Sequence, residues 1–157
     1  MDLEIAQRIY QAYLKILDME LKDGIRREML TWALTENPGH WPVVGVTHLA
    51  LDRFAEHNFQ CVSRMGIHRS HLVDRRTWQS AMLQERLSFD DWLDLYRRSD
   101  QTVLATSSEN MKGAKPEFVP IPLDLGLFRS TGYKWRHNAA EREFLQAMHR
   151  EHRSPAP

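Results

Sequence analysis

The stretch with the clearest capacity for chemistry is Asp100-Gln101-Thr102-Val103-Leu104-Ala105-Thr106-Ser107-Ser108-Glu109-Asn110-Met111-Lys112-Gly113-Ala114. Residues 102–106 are β-branched and apolar, which suits a half-buried strand. Ser107 or Ser108 can cap a helix that follows at once, and Glu109 puts a negative charge where the helix dipole favours it. Asn110 then projects from the first turn, where its carboxamide oxygen can bind a hard cation. The plain alternative is an ordinary strand–helix junction with a solvated asparagine. Two basic concentrations accompany it. Residues 64–76 hold Arg64, Arg69, Arg75 and Arg76 against one acid, Asp74. From residue 129 onward, Arg129, Lys134, Arg136, Arg142, Arg150 and Arg153 are interleaved with Tyr133 and Trp135. Such clusters can hold phosphates without reading bases, although a charged surface always has local excesses.

Composition sets outer limits. With 157 residues, 42% of them hydrophobic, the chain is expected to form one domain with a modest core. Lys+Arg and Asp+Glu are equal at 21 each, so net charge carries no sign of nucleic-acid binding and only local distribution can. Cys61 is the sole cysteine, which excludes an internal disulfide and any multi-cysteine zinc site. No apolar run approaches the roughly 20 residues of a membrane span. The acidic start Met1-Asp2-Leu3-Glu4 does not read as a secretory signal, so a soluble cytoplasmic protein is expected.

The elements that must position these residues follow from periodicity. Residues 2–22 and 25–34 read as two amphipathic helices broken at Gly24 and stopped by Asn37-Pro38-Gly39, a hairpin suited to packing or to forming a homodimer. Val43-Val44 can be a short strand, and Thr47 can cap a helix over 48–59. Residues 60–71 read two ways. One is strand-like, over 61–65 and 67–73. The other makes 49–71 a helix–turn–helix whose second helix carries Arg64, His68 and Arg69, but no glycine sits at its turn and Gly66 falls inside that helix; strand is the preferred reading. Residues 77–87 and 88–98 read as helices, capped by Thr77 and Ser88. Residues 115–122 are extended and punctuated by proline, and a last helix starts at Asn138.

The stretch 100–114, and more weakly the region around His71, resembles the ββα-metal fold of HNH nucleases, as in phage and intron homing endonucleases. In that family an Asp or Asn pair precedes an apolar strand that ends in Thr, and a polar turn leads to a metal-site Asn or His. Asp100, residues 102–106 and Asn110 match, with Gln101 where the central Asn usually stands. His71-Leu72-Val73 matches the strand that carries the catalytic histidine. Ser70 stands where a metal-binding acid is often found, and two helices would be inserted between the strands.

What the resemblance implies is an α+β domain, mostly helical, around a two-stranded ββα-metal element. The single domain would comprise a hairpin over 1–36, a core over 60–115 with a helical insertion at 77–98, and an extension over 116–157. The implied function is endonucleolytic hydrolysis of DNA, duplex most readily, with no membrane partner. His71 would be the general base and Gln101 would stand in the catalytic pair. Asn110, with His68 and Asp74, would bind Mg2+ or Mn2+. Arg69, Arg75, Arg76, Lys112, Lys134 and Arg136 would contact the nucleic acid. Two alternatives remain: a non-enzymatic DNA-binding regulator using the helix–turn–helix at 49–71, and an HNH-like interaction module without catalysis.

Overall fold

The computed structural model describes residues 1–62, 65–110, 117–129 and 137–153. These divide into two compact units, each made of discontinuous chain: Met1–Trp41 with His71–Gln101, and Pro42–Ser70 with Thr102–Pro157. The partition cuts across the segments expected from sequence, because the helices after residue 74 join the N-terminal hairpin in unit 1.

Unit 1 is helical. Its elements are α1 (Leu3–Leu17), α2 (Asp23–Leu34), α4 (Arg75–Met82) and α5 (Phe89–Ser99). Asp2 caps α1 by accepting from the Glu4 and Ile5 amides. The first helix stops at Leu17, shorter than the expected 2–22, and Gly24 lies inside the first turn of α2 rather than before it. Ala6, Ile9, Tyr13 and Ile16 recur at helical spacing and are buried with Leu30, Leu34, Trp78, Met82, Trp92 and Tyr96. The core is strongly aromatic: Trp92 and Tyr96 stack at 5.8 Å with 6° between planes. Tyr13 and Tyr10 donate their hydroxyls to the Glu85 and Leu87 carbonyls at 2.8 Å, tying α1 to the turn before α5. Ser88 caps α5 as expected, accepting from the Asp91 amide. Helix α4 begins two residues earlier than expected, and Asp74, not Thr77, is its cap.

Unit 2 is a sheet covered by helices. Its strands are β1 (Val43–Thr47), β2 (Ile67–His71, whose last residue is counted with unit 1), β3 (Thr102–Thr106) and β4 (Phe118–Pro120). Their order is β2-β3-β1-β4, so the sheet has four strands rather than the two expected. Strand β1 runs parallel to β3 and antiparallel to β4. Backbone bonds from Ser107 N to Gly66 O (2.8 Å) and from Leu72 N to Gln101 O (3.0 Å) run β2 opposite to β3. Gly45 is dictated by packing: a Cβ there would lie 2.2 Å from the Phe118 ring and 2.9 Å from the Val119 carbonyl. Helices α3 (His48–Glu56) and α7 (Ala139–Arg153) pack on one another, and α6 (Ser107–Asn110) follows β3 directly. Val46, Leu51, Phe54, Leu104, Phe128 and Leu145 centre the core.

The helix–turn–helix alternative falls here. Thr47 caps α3 as expected, but residues 67–71 form a strand, so His68 and Arg69 lie on β2 and not on a recognition helix. The β-branched and apolar residues around Gly66 favour extended backbone, and Gly66 itself has φ 74°. Among the described residues, no helix is long and apolar enough to cross a membrane.

Candidate functional site

In unit 1 the feature that collects the most chemistry is Trp41, in the loop between α2 and β1. It is 8% exposed and has φ 55°, the left-handed region that a bulky side chain rarely occupies. Its position before Pro42 makes this more unusual, because a residue preceding proline is normally pushed to extended backbone. The Trp41 amide donates to Asp100 Oδ2 at 2.8 Å. Its indole stands edge-on to the His71 ring, with centroids 5.2 Å apart and planes at 87°. The Arg75 guanidinium lies 5.5 Å from the indole centroid, within cation–π range. The His40 ring is 4.9 Å away on the same indole, and His40 Nδ1 is 2.9 Å from the Asn37 carbonyl.

A polar layer continues beneath. Asn37 Nδ2 donates to the Tyr96 hydroxyl at 3.0 Å, and Asn37, His40, Tyr96 and Asp100 are all buried. Burial, reinforced by the Asp100 charge, pushes the Tyr96 hydroxyl far above the ordinary phenol range. Asp100 terminates α5, its amide bonded to the Tyr96 carbonyl at 2.9 Å. Imidazole and guanidinium thus share one aromatic support, whose backbone amide the buried carboxylate holds.

The remaining unit 1 candidates are placed as follows. Asp74 accepts from the Thr77 amide at 2.9 Å and its hydroxyl at 3.0 Å, and these bonds hold its carboxyl below the usual range. Arg76 is exposed in the first turn of α4, and Gln101 is half-buried after α5.

In unit 2, His68 is exposed on β2 with Nε2 2.7 Å from the Ser107 hydroxyl, which also reaches the Gly66 carbonyl at 2.9 Å. Ser70 donates to Asn110 Oδ1 at 2.8 Å, using the oxygen expected to meet a cation. Arg69 donates to the Phe128 carbonyl. The cap of α6 comes from Glu109, whose carboxylate takes the Thr106 amide and hydroxyl at 2.8 Å and the Thr47 hydroxyl at 2.9 Å. Lys112, Lys134 and Arg136, like Arg64, Tyr133 and Trp135, lie outside the described residues.

The donor set does not fit the expected Mg2+ or Mn2+. Asp74 is used in capping a helix of unit 1, and Asn110 Oδ1 is bonded to Ser70 within unit 2. No group of three or more His, Cys, Asp or Glu side chains among the described residues is placed to hold a metal ion.

Sequence reasoning missed Trp41, His40 and Asn37 as site residues, and the structure buries His40 to 2% exposure. The available signal was Asn37-Pro38-Gly39-His40-Trp41-Pro42, a loop composition carrying an aromatic residue too large for an ordinary turn. No family model matches the chain, and neither do curated proteins or solved structures.

Proposed function

We propose that the chain acts on the phosphodiester backbone of DNA, with His71 as general base and with Arg75 and Arg76 holding the phosphate. The observation that carries this reading is the Trp41 platform, which has the His71 imidazole at 5.2 Å and the Arg75 guanidinium at 5.5 Å from one buried indole. A base that abstracts a proton from water needs a fixed orientation, and a phosphate needs a cation beside that base. The antiparallel pairing of β2 with β3, and α6 following β3, support an HNH-like ββα order of elements. No step is assigned to a metal ion, because the expected ligands do not fit one.

A second reading is favoured by a specific observation. The Ser70–Asn110 bond and the Asp74 cap use internally the groups that hydrolysis would want free, which suits an HNH-like module that binds DNA without cutting it.

Nicking of supercoiled plasmid, with Mg2+ or Mn2+ and with EDTA, decides between them. Under the hydrolytic reading, His71→Ala lowers the rate by roughly 10²–10⁴-fold while leaving DNA affinity nearly unchanged. Arg75→Ala with Arg76→Ala weakens binding to all sequences alike and reduces the salt slope by about 2. Wild-type binding without nicking in any condition favours the module, and nicking that survives His71→Ala removes His71 from the chemistry.

A further inference from the structure

We propose that the outer face of α2 is a self-association surface, on which a second copy of this chain docks its own α2 antiparallel, about a two-fold axis near Met29. Nothing in it depends on His71 or Arg75.

Helix α2 buries one side in unit 1 through Leu30 and Leu34. On the other side Lys22, Ile25, Met29, Trp32 and Glu36 recur at steps of three and four residues, which brings them into one line about 21 Å long. That spacing makes the narrow seam by which one helix meets another, set apart from the face that already serves the core. The middle of the line is apolar. Ile25 is 46% exposed and Trp32 61%, while Met29 is half-buried and packs against the core of unit 1. Met19 and Leu21, just before α2, are exposed as well. Single exposed apolar residues are ordinary on a protein surface, but a tryptophan and an isoleucine aligned on one helix face form a patch.

The ends of the line say what covers it. Lys22 caps the start of α2, and Glu36 lies two residues beyond its last residue, Leu34. Both are exposed, and among the described residues neither side chain is in an ion pair. The neighbouring Asp23 and Arg26 are already paired with each other. Antiparallel docking about Met29 sets Lys22 of each copy opposite the other copy's Glu36, so that contact is made twice, and it sets Ile25 opposite Trp32. Parallel docking would put lysine against lysine and glutamate against glutamate. Antiparallel axes also bring the positive end of each helix to the negative end of the other. Glu28, exposed on the flank, meets its own copy at the rim, where a like pair in water costs little. One patch thus complements itself, as a two-fold contact requires. Five seam positions make a small interface, so the dimer is reversible, with Kd on the order of 10 µM.

The experiment is sedimentation velocity of the full chain between about 1 and 500 µM, with circular dichroism to check the fold of each variant. Wild type passes from monomer to dimer across that range. Trp32→Ala and Ile25→Lys, both at exposed positions, each weaken dimerisation by about tenfold or more. Lys22→Glu alone and Glu36→Lys alone each weaken it by roughly threefold to thirtyfold, because two attractive contacts become repulsive. The double variant, with the charges exchanged, returns to within about threefold of wild type. A wild type that stays monomeric throughout overturns the proposal and leaves the face to a different partner. Association that survives both Trp32→Ala and Ile25→Lys overturns it too, since the contact then lies elsewhere. A folded double variant as weak as its two singles rules out the antiparallel pairing and with it the proposal. Should Trp32→Ala fail to fold, Ile25→Lys and the charge exchange decide.

Discussion

Two buried carboxylates, one in each unit, grip the backbone of an aromatic residue in the same unusual conformation. In unit 1 Asp100 takes the amide of Trp41 at φ 55°; in unit 2 Glu141 takes the amide of Phe128 at φ 54°. Their settings are opposite. Glu141 stands in the first turn of α7, where the dipole welcomes an anion, and its other oxygen takes the Asn138 amide at 2.7 Å. Asn138 returns the favour through Oδ1 to the Glu141 amide at 3.0 Å, a reciprocal capping box. Phe128 then fills the apolar core beside Leu145. Asp100 stands at the wrong end of a helix, and its aromatic partner faces two imidazoles and a guanidinium. The fold explains the anion in unit 2. In unit 1 the anion is held against the opposing helix end, between the Trp41 amide and the buried Tyr96 hydroxyl whose pKa it raises.

The largest expected effect tests the unit 2 half of this contrast. Phe128→Ala removes a fully buried ring and should cost about 3–5 kcal/mol in urea unfolding. A loss under about 1 kcal/mol would mean that Glu141 does not hold a core residue. Next comes the direct comparison of charges. Glu141→Gln should destabilise by about 1–2 kcal/mol, through a weaker capping box and a lost helix-dipole interaction. Asp100→Asn should stay within about 0.5 kcal/mol of wild type or be more stable. Equal losses from the two substitutions would erase the distinction.

Alkaline unfolding probes the surroundings of Asp100. Tyr96 has a folded-state value raised above the ordinary phenol, so the unfolded chain releases its proton first. The stability tied to that proton is full below about pH 10 and declines as pH rises beyond it. Tyr96→Phe should flatten the decline, visible as a smaller fall in thermal midpoint between pH 9 and 11 on the order of a few degrees. An identical pH slope in both proteins would place the alkaline sensitivity elsewhere. Asp74→Ala serves as control: it should cost roughly 0.5–1 kcal/mol by uncapping α4, with the Asp100 and Glu141 contrast unchanged.

The local features were legible and the long-range ones were not. The alternation of small apolar and β-branched residues at 102–106 marks β3, and side-chain caps at Thr47 and Ser88 mark helix starts one residue later. Strand β4 has only three residues and ends in Pro120, so it carries too little pattern to raise a two-stranded expectation to four. The positive φ of Trp41 and Phe128 runs against every propensity for bulky residues, and in each case a carboxylate from elsewhere in the sequence takes the residue's amide. Likewise Ser70 reaches Asn110 across 40 residues, a pairing that no spacing rule contains. Residue types at 68, 71 and 110 suggested a site; which atoms were already engaged depended on tertiary partners.

The threefold passage of the chain between units, at 41–42, 70–71 and 101–102, has a consequence for synthesis. Helices α1 and α2 leave the ribosome without α4 and α5, the partners that cover Ile9, Tyr13 and Leu30. About 60 further residues must be made before residue 101 emerges, which at roughly 5–20 residues per second is an interval of about 3–12 s. For that time the newborn hairpin shows an apolar face to the cell, while β1 and β2 also lack the strand that lies between them. Chaperones are therefore most needed in the middle of translation, and the last helix, α7, arrives after the critical interval has passed.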